Sequence, residues 1–149
     1  MKRVYIVDDS VKLRKRLYEL LSDVENVQVI GQAGNADQAL DEIRVLKPDT
    51  VLLDIRLPGM DGWMVMDKLK ANPDTRHIPV HIVSATEASS EAFKLGAVGF
   101  LGKPVDQDQV QEVFVRVVEQ GNRLRRVRRP TAWLLTVAHR LAVDLVRHR

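Results

Sequence analysis

Thr50-Val51-Leu52-Leu53-Asp54-Ile55-Arg56-Leu57-Pro58-Gly59 decides how the rest of the chain is read. Three apolar residues run into a carboxylate, and a Leu-Pro-Gly turn follows. A short continuous apolar run bounded by turn residues is the pattern of a strand buried on both faces, as in parallel sheets. Ligands of open α/β sheets sit just beyond the carboxyl ends of such strands, which is where Asp54 stands.

Outward from this strand the pattern alternates. Val4 to Val7 reads as a strand ending on Asp8-Asp9-Ser10. Ser10 is a candidate N-cap for a helix with Val11, Leu13, Leu17, Leu20 and Leu21 on its apolar face. Val27 to Ala33 is a second strand. Gly34 or Asn35 opens a helix over Ala36, Ala39, Leu40, Ile43 and Leu46, closed by Lys47-Pro48. Beyond Asp54, Gly62 to Ala71 is a third helix, with Trp63, Met64 and Met66 as packing residues. Pro79 to Ser84 is a fourth strand and Glu87 to Leu95 a short fourth helix. Gly99 to Gly102 is a fifth strand before Lys103-Pro104, and Asp106 to about Gln120 a fifth helix, with Val110, Val113, Phe114, Val117 and Val118 inward. His77 and His81 read as surface and packing residues, because no second imidazole follows at ligand spacing.

Five strand–helix repeats predict an α/β fold, a flavodoxin-like (βα)5 doubly wound parallel sheet of order 2-1-3-4-5. Its switch point lies between strands one and three, so Asp8, Asp9 and Asp54 meet there. Ser84 and Lys103 end the two strands on the other side of Asp54. One Asp or Lys at a strand end is usually a solvated loop residue; five polar groups at one sheet edge are not independent. Gathered carboxylates repel unless a cation joins them, and the simplest hard cation with oxygen preference is Mg²⁺. A carboxylate beside a metal and a lysine is a sound phosphoryl acceptor, and Ser84 could donate to the new phosphoryl group.

These residues resemble the receiver (CheY-like) domain of two-component response regulators over residues 1 to about 122. The likeness rests on Asp8-Asp9, Asp54 with Leu57-Pro58-Gly59-Met60-Asp61-Gly62, Ser84-Ala85, and Phe100 followed by Lys103-Pro104. The resemblance implies that Asp54 is the phosphoacceptor, that Asp9 ligates Mg²⁺ directly and Asp8 through water, and that the Arg56 backbone carbonyl completes the protein ligands. It also implies that Lys103 pairs with the phosphoryl group across a cis peptide to Pro104. Ser84 and Phe100 would be a switch pair, and the side chains of Arg56 and Thr86 would tune the lifetime of the phosphate. Ser84 and Lys103 are closer in sequence than is usual in that family, so the fourth helix is shortened. Gly62 to Val105 looks more like receivers attached to hybrid histidine kinases, and Met1 to Asp61 more like those of DNA-binding regulators.

Net charge is split. Residues 1–122 carry 15 Lys+Arg against 19 Asp+Glu, while residues 123–149 carry 8 Arg against one Asp. The expected organisation is a receiver over 1–122, a basic linker or helix extension over 123–130, and an amphipathic basic helix over 131–149. The stretch from Pro130 to Arg147 resembles a region 2 helix of extracytoplasmic-function sigma factors. That likeness points to RNA polymerase or an anti-sigma-like protein as partner of the C-terminal helix. The arginine run attracts phosphate non-specifically. No helix-turn-helix fits in the residues left, so sequence-specific DNA binding by this chain alone is not expected. With no cysteine, no signal-peptide pattern and no run of roughly 20 apolar residues, the expected setting is cytoplasmic, without a membrane partner.

The functional expectation is a switch phosphorylated on Asp54 by a sensor histidine kinase or a histidine phosphotransfer protein, changing partner binding or homodimer formation. The alternatives are a transcription regulator with a truncated or partner-supplied output and a stand-alone phosphorelay carrier. A hydrolase of the haloacid-dehalogenase type needs an Asp two residues after its nucleophile, where this chain has Arg56. The chain therefore reads as no enzyme beyond self-phosphorylation from small donors and autodephosphorylation.

Overall fold

The computed structural model describes residues 1–57, 59, 61–85 and 89–114. The expectations for Thr86, for residues 115–122 and for the linker and helix over 123–149 lie outside them. Five parallel strands form one sheet: β1 (Lys2–Val7), β2 (Val27–Ala33), β3 (Thr50–Asp54), β4 (Val80–Ser84) and β5 (Gly99–Gly102), in the order β2-β1-β3-β4-β5. Helices α1 (Val11–Ser22), α2 (Ala36–Leu46), α3 (Gly62–Ala71) and α4 (Ser89–Lys94) alternate with them, and residues 107–114 form α5.

Helix starts follow local chemistry. Ser10 Oγ accepts the Leu13 N–H, Asn35 Oδ1 that of Gln38, and Asp61 Oδ1 that of Met64, each relieving a helix end of an unpaired donor. Lys47 closes α2 in the left-handed conformation at φ 49°, ahead of Pro48.

The sheet separates two cores. One, under α2, α3 and α4, gathers Tyr5, Ile43, Val51, Leu53, Met66, Leu69, Ile82 and Phe100. The other, under α1 and α5, gathers Val4, Ile6, Leu17, Leu21, Leu52, Val83, Val110 and Phe114. All of β3 and β4 is buried, which is why both read as apolar runs rather than alternating ones. Complete burial of a side chain such as Phe114 stabilises by about 1.5–3 kcal/mol, so α5 is a substantial part of the second core. Two expected inward residues face out. Val11 is 69% and Met64 49% exposed, each on a flank of its helix that no other element covers among the described residues.

Candidate functional site

β1 and β3 are adjacent and in register, Val7 opposite Leu53, so Asp8, Asp9 and Asp54 emerge together at the carboxyl edge of the sheet. One oxygen from each of the three carboxylates lies within 4.8 Å of the others. Asp8 and Asp54 are buried and Asp9 is exposed. Lys103, one residue past β5, reaches back over the edge. Its Nζ lies 3.2 Å from Asp54 Oδ2 and 3.3 Å from Asp8 Oδ2.

The backbone orients these carboxylates. Ser10 N–H donates to Asp8 Oδ1 at 2.9 Å, and Arg56 N–H donates to Asp54 Oδ1 at 3.2 Å. Each acid thereby turns its Oδ2 toward the shared centre. Arg14 Nη1 donates to the Asp8 carbonyl oxygen at 2.6 Å and pins the end of β1. Burial pushes the Asp8 carboxyl above its ordinary range and the neighbouring Asp54 charge adds to this, while the Ser10 amide and Lys103 oppose it. Among the described residues, Asp8 Oδ2 has the Lys103 ammonium at 3.3 Å and accepts no hydrogen bond of good geometry. A buried carboxylate oxygen balanced by one shared ammonium, facing two further carboxylates, has capacity left for a hard divalent cation.

The other expected residues fall around this centre. Ser84 ends β4, buried, and its carbonyl oxygen accepts the Lys103 N–H at 2.9 Å. Phe100 points into the core beneath α3 and α4. The Lys103–Pro104 peptide is cis. The Arg56 side chain is exposed and, with Asp9, Ile55, Leu57, Asp61 and Trp63, lines an open cleft of about 590 Å³ beside the carboxylates.

Sequence reasoning assigned no role to Arg14 or Gly62. A Cβ on Gly62 would stand 2.4 Å from both the Asp54 carbonyl oxygen and Ile55 Cα. The first residue of α3 is thus pressed directly on the end of β3. A glycine opening a helix straight after a strand-end turn was the available signal.

The profile of the response regulator receiver domain matches residues 4–114. The chain belongs to the response regulator receiver family. It is 32% identical over 124 residues to the response regulator GacA of Pseudomonas viridiflava, a match covering 83% of this chain and 58% of that protein. It is 34% identical over 120 residues to protein-glutamate methylesterase/protein-glutamine glutaminase 1 of Syntrophomonas wolfei, covering 77% of this chain and 33% of the relative. The crystal structure of the response regulator domain of Thermotoga maritima CheB matches the receiver with a TM-score of 0.67 at 28% identity, covering 80% of this chain and 95% of that one. The receiver therefore spans only a third to under three fifths of the length of these curated relatives. A second profile, sigma-70 region 2, matches residues 97–149. The two profiles overlap over residues 97–114, which form β5, the Lys103–Pro104 turn and α5 of the receiver.

Proposed function

We propose that this receiver is a phosphorylation switch of a two-component system, with Asp54 as acceptor and a sensor histidine kinase or histidine phosphotransfer protein as donor. The observation that carries the reading is the convergence of Asp8, Asp9 and Asp54 within 4.8 Å, with Lys103 touching two of them. A carboxylate oxygen of Asp54 attacks phosphorus, the donor's N–P bond breaks, and the imidazole leaves with the bonding pair and takes up a proton. The cleft past Arg56 and Trp63 gives the donor access. Lys103 neutralises charge on the transferring group, and the Arg56 amide holds the Asp54 carboxylate in place. Asp8, Asp9, Asp54 and the Arg56 carbonyl are the groups that would hold Mg²⁺. When bound, it neutralises phosphoryl oxygens and the mutual repulsion of the acids.

In the family's manner, Ser84 would turn to the new phosphoryl group and Phe100 would respond. Thr86 and the Arg56 side chain would set its lifetime. The output would pass to a protein partner or a second copy of the chain, and the sigma-70 region 2 match points to the C-terminal segment as the part that engages it.

Asp54→Asn is expected to abolish labelling by a phosphoamidate donor while leaving the unfolding midpoint near that of the parent. Labelling at full yield would overturn the acceptor assignment. Asp8→Asn tests the cation. In the folded state the raised Asp8 carboxyl binds its proton more readily than in the unfolded chain. Its charged form therefore costs stability at neutral pH, and that cost fades as pH falls through the raised folded value. The variant should melt higher than the parent without divalent ions, at ~2–4 °C for each kcal/mol relieved. It should also lose most of the Mg²⁺-induced rise. A rise as large as the parent's would remove Asp8 from the ligand set.

A further inference from the structure

His81 lies in the middle of the second core, on β4 between Val80 and Ile82, and is 3% exposed. Its ring is fitted on three sides. From β3, Thr50 Oγ1 is 3.2 Å from Nδ1, and the same hydroxyl donates to the Pro79 carbonyl oxygen at 3.1 Å. Having given its proton to Pro79, Thr50 accepts one from Nδ1, so the neutral ring carries its proton on that nitrogen. From β5, Gly99 leaves the space the ring occupies: a Cβ there would stand 2.4 Å from His81 Cδ2. From α5, Phe114 stacks on the ring with centroids 6.1 Å apart and planes at 28°.

None of these neighbours is charged. The α1 residues in the same core are Leu17, Leu20 and Leu21. The acids at and before α5, Asp106, Asp108 and Glu112, are exposed, and Asp106 Oδ1 accepts the Gln109 N–H. Burial alone accounts for the displacement of the imidazole, pushed down to about 4.

We propose that His81 is a proton-sensitive latch, holding α5 against the receiver while neutral and releasing it when protonated. Release of α5, rather than general unfolding, follows from position. Thr50 and Gly99 belong to hydrogen-bonded strands of the sheet, whereas α5 covers the ring from one side. Beyond its buried face, α5 is tied to α1 by Gln107 Nε2 to the Leu20 carbonyl at 3.2 Å and Gln111 Nε2 to the Asp23 carbonyl at 3.3 Å. Moving α5 is the displacement that hydrates the ring while leaving the strand ladders intact. Its consequence lies in the sequence. Residues 97–114 are shared between the receiver and sigma-70 region 2 matches, and Val110, Val113 and Phe114 are committed to the receiver core. Freeing α5 gives that helix back to the region 2-like segment.

The sign is fixed by linkage. A ring titrating near 4 when covered and near 6.5 when hydrated takes up protons on opening, so opening becomes more favourable as pH falls from about 6.5 to about 4. At pH 5.5 the opening equilibrium should exceed its neutral value about tenfold, or about 1.4 kcal/mol. The Asp8 carboxyl works in the opposite direction, since acid relieves it, so a general loss of stability would not mimic the effect.

Amide hydrogen exchange on the full chain, corrected for intrinsic rates and compared at pH 7.5 and 5.5 without phosphodonor, tests the latch. The expected result is an increase of about tenfold in opening at the protected amides of α5, with those of β1 and β3 unchanged. A His81→Leu chain should lose the pH response. Equal changes in α5 and the sheet, or a pH-independent α5, would overturn the proposal in the parent chain alone. A His81→Leu chain that kept the full response would do the same.

Discussion

Gly62→Ala is expected to destabilise the fold by about 3 kcal/mol, the upper part of the range for overpacking, and to reduce acyl-phosphate formation at Asp54 at least tenfold. The added Cβ would meet the Asp54 carbonyl oxygen and Ile55 Cα at 2.4 Å and the Asp54 carbonyl carbon at 3.0 Å. All three are backbone atoms, so no rotamer change relieves the clash. β3 cannot give way, because it is hydrogen-bonded to β1 on one side and β4 on the other. The start of α3 must move instead, against the packing of Val65, Met66 and Leu69.

That movement would reach the chemistry by a short route. Gly62 N–H donates to the Ile55 carbonyl oxygen at 2.5 Å, closing the loop that carries Arg56. The Arg56 N–H in turn holds Asp54 Oδ1. Losing that amide leaves the Asp54 carboxylate free to rotate away from Lys103. Gly102→Ala is the matched comparison, since a Cβ there meets nothing within 4 Å. Its cost should stay below about 0.5 kcal/mol. Urea unfolding gives the stabilities and a timed phosphodonor assay gives the yield. A Gly62→Ala chain as stable as Gly102→Ala would refute the close-packing argument.

Much of this architecture is written locally. β2, β3, α3 and β5 fall where turn residues and apolar runs put them, and α2 starts and stops at Asn35 and Lys47 because cap chemistry involves only nearby residues. The site was legible for a related reason. A parallel sheet brings strand ends to one edge, so strand order alone assembles Asp8, Asp9, Asp54, Ser84 and Lys103. Periodicity is less informative about the flanks of a helix. It groups Val11 with Leu17 and Leu21 on one stripe, yet only the last two are covered. The fit of His81 between Gly99 and Phe114 was illegible because it depends on side-chain shape across three elements distant in sequence. β4 is apolar on both faces, so its pattern does not say which core the imidazole enters. Arg14 reaching the Asp8 carbonyl is of the same kind, a long side chain with several surfaces to choose from.

Lys103→Met should expose how much of the receiver's stability rests on one ammonium. Without divalent cations the variant loses the positive partner of both Asp8 and Asp54. Removing one member of a fully buried pair costs about 3–5 kcal/mol. Here the lysine side chain is 22% exposed, so solvent screening brings the expected loss at neutral pH to about 2 kcal/mol. The loss should shrink on acidification, because Asp8 already holds its proton more tightly folded than unfolded and the missing cation strengthens that preference. Stability attributable to this site therefore falls as pH rises through the folded value, more steeply in the variant than in the parent. A divalent cation should make up the loss relative to the metal-free parent by supplying the charge that Lys103 no longer does. Mg²⁺ at a hundred times its dissociation constant would contribute about 2.7 kcal/mol, which returns the variant to about the stability of the parent without metal. Phosphorylation should nevertheless stay impaired in the presence of Mg²⁺, because the thioether that replaces the ammonium has no N–H to donate to the transferring group. Urea midpoints at pH 5.5 and 8, with and without Mg²⁺, separate these contributions. A loss independent of both pH and Mg²⁺ would mean that Lys103 stabilises through the packing of its methylene chain, and that the three carboxylates do not depend on its charge.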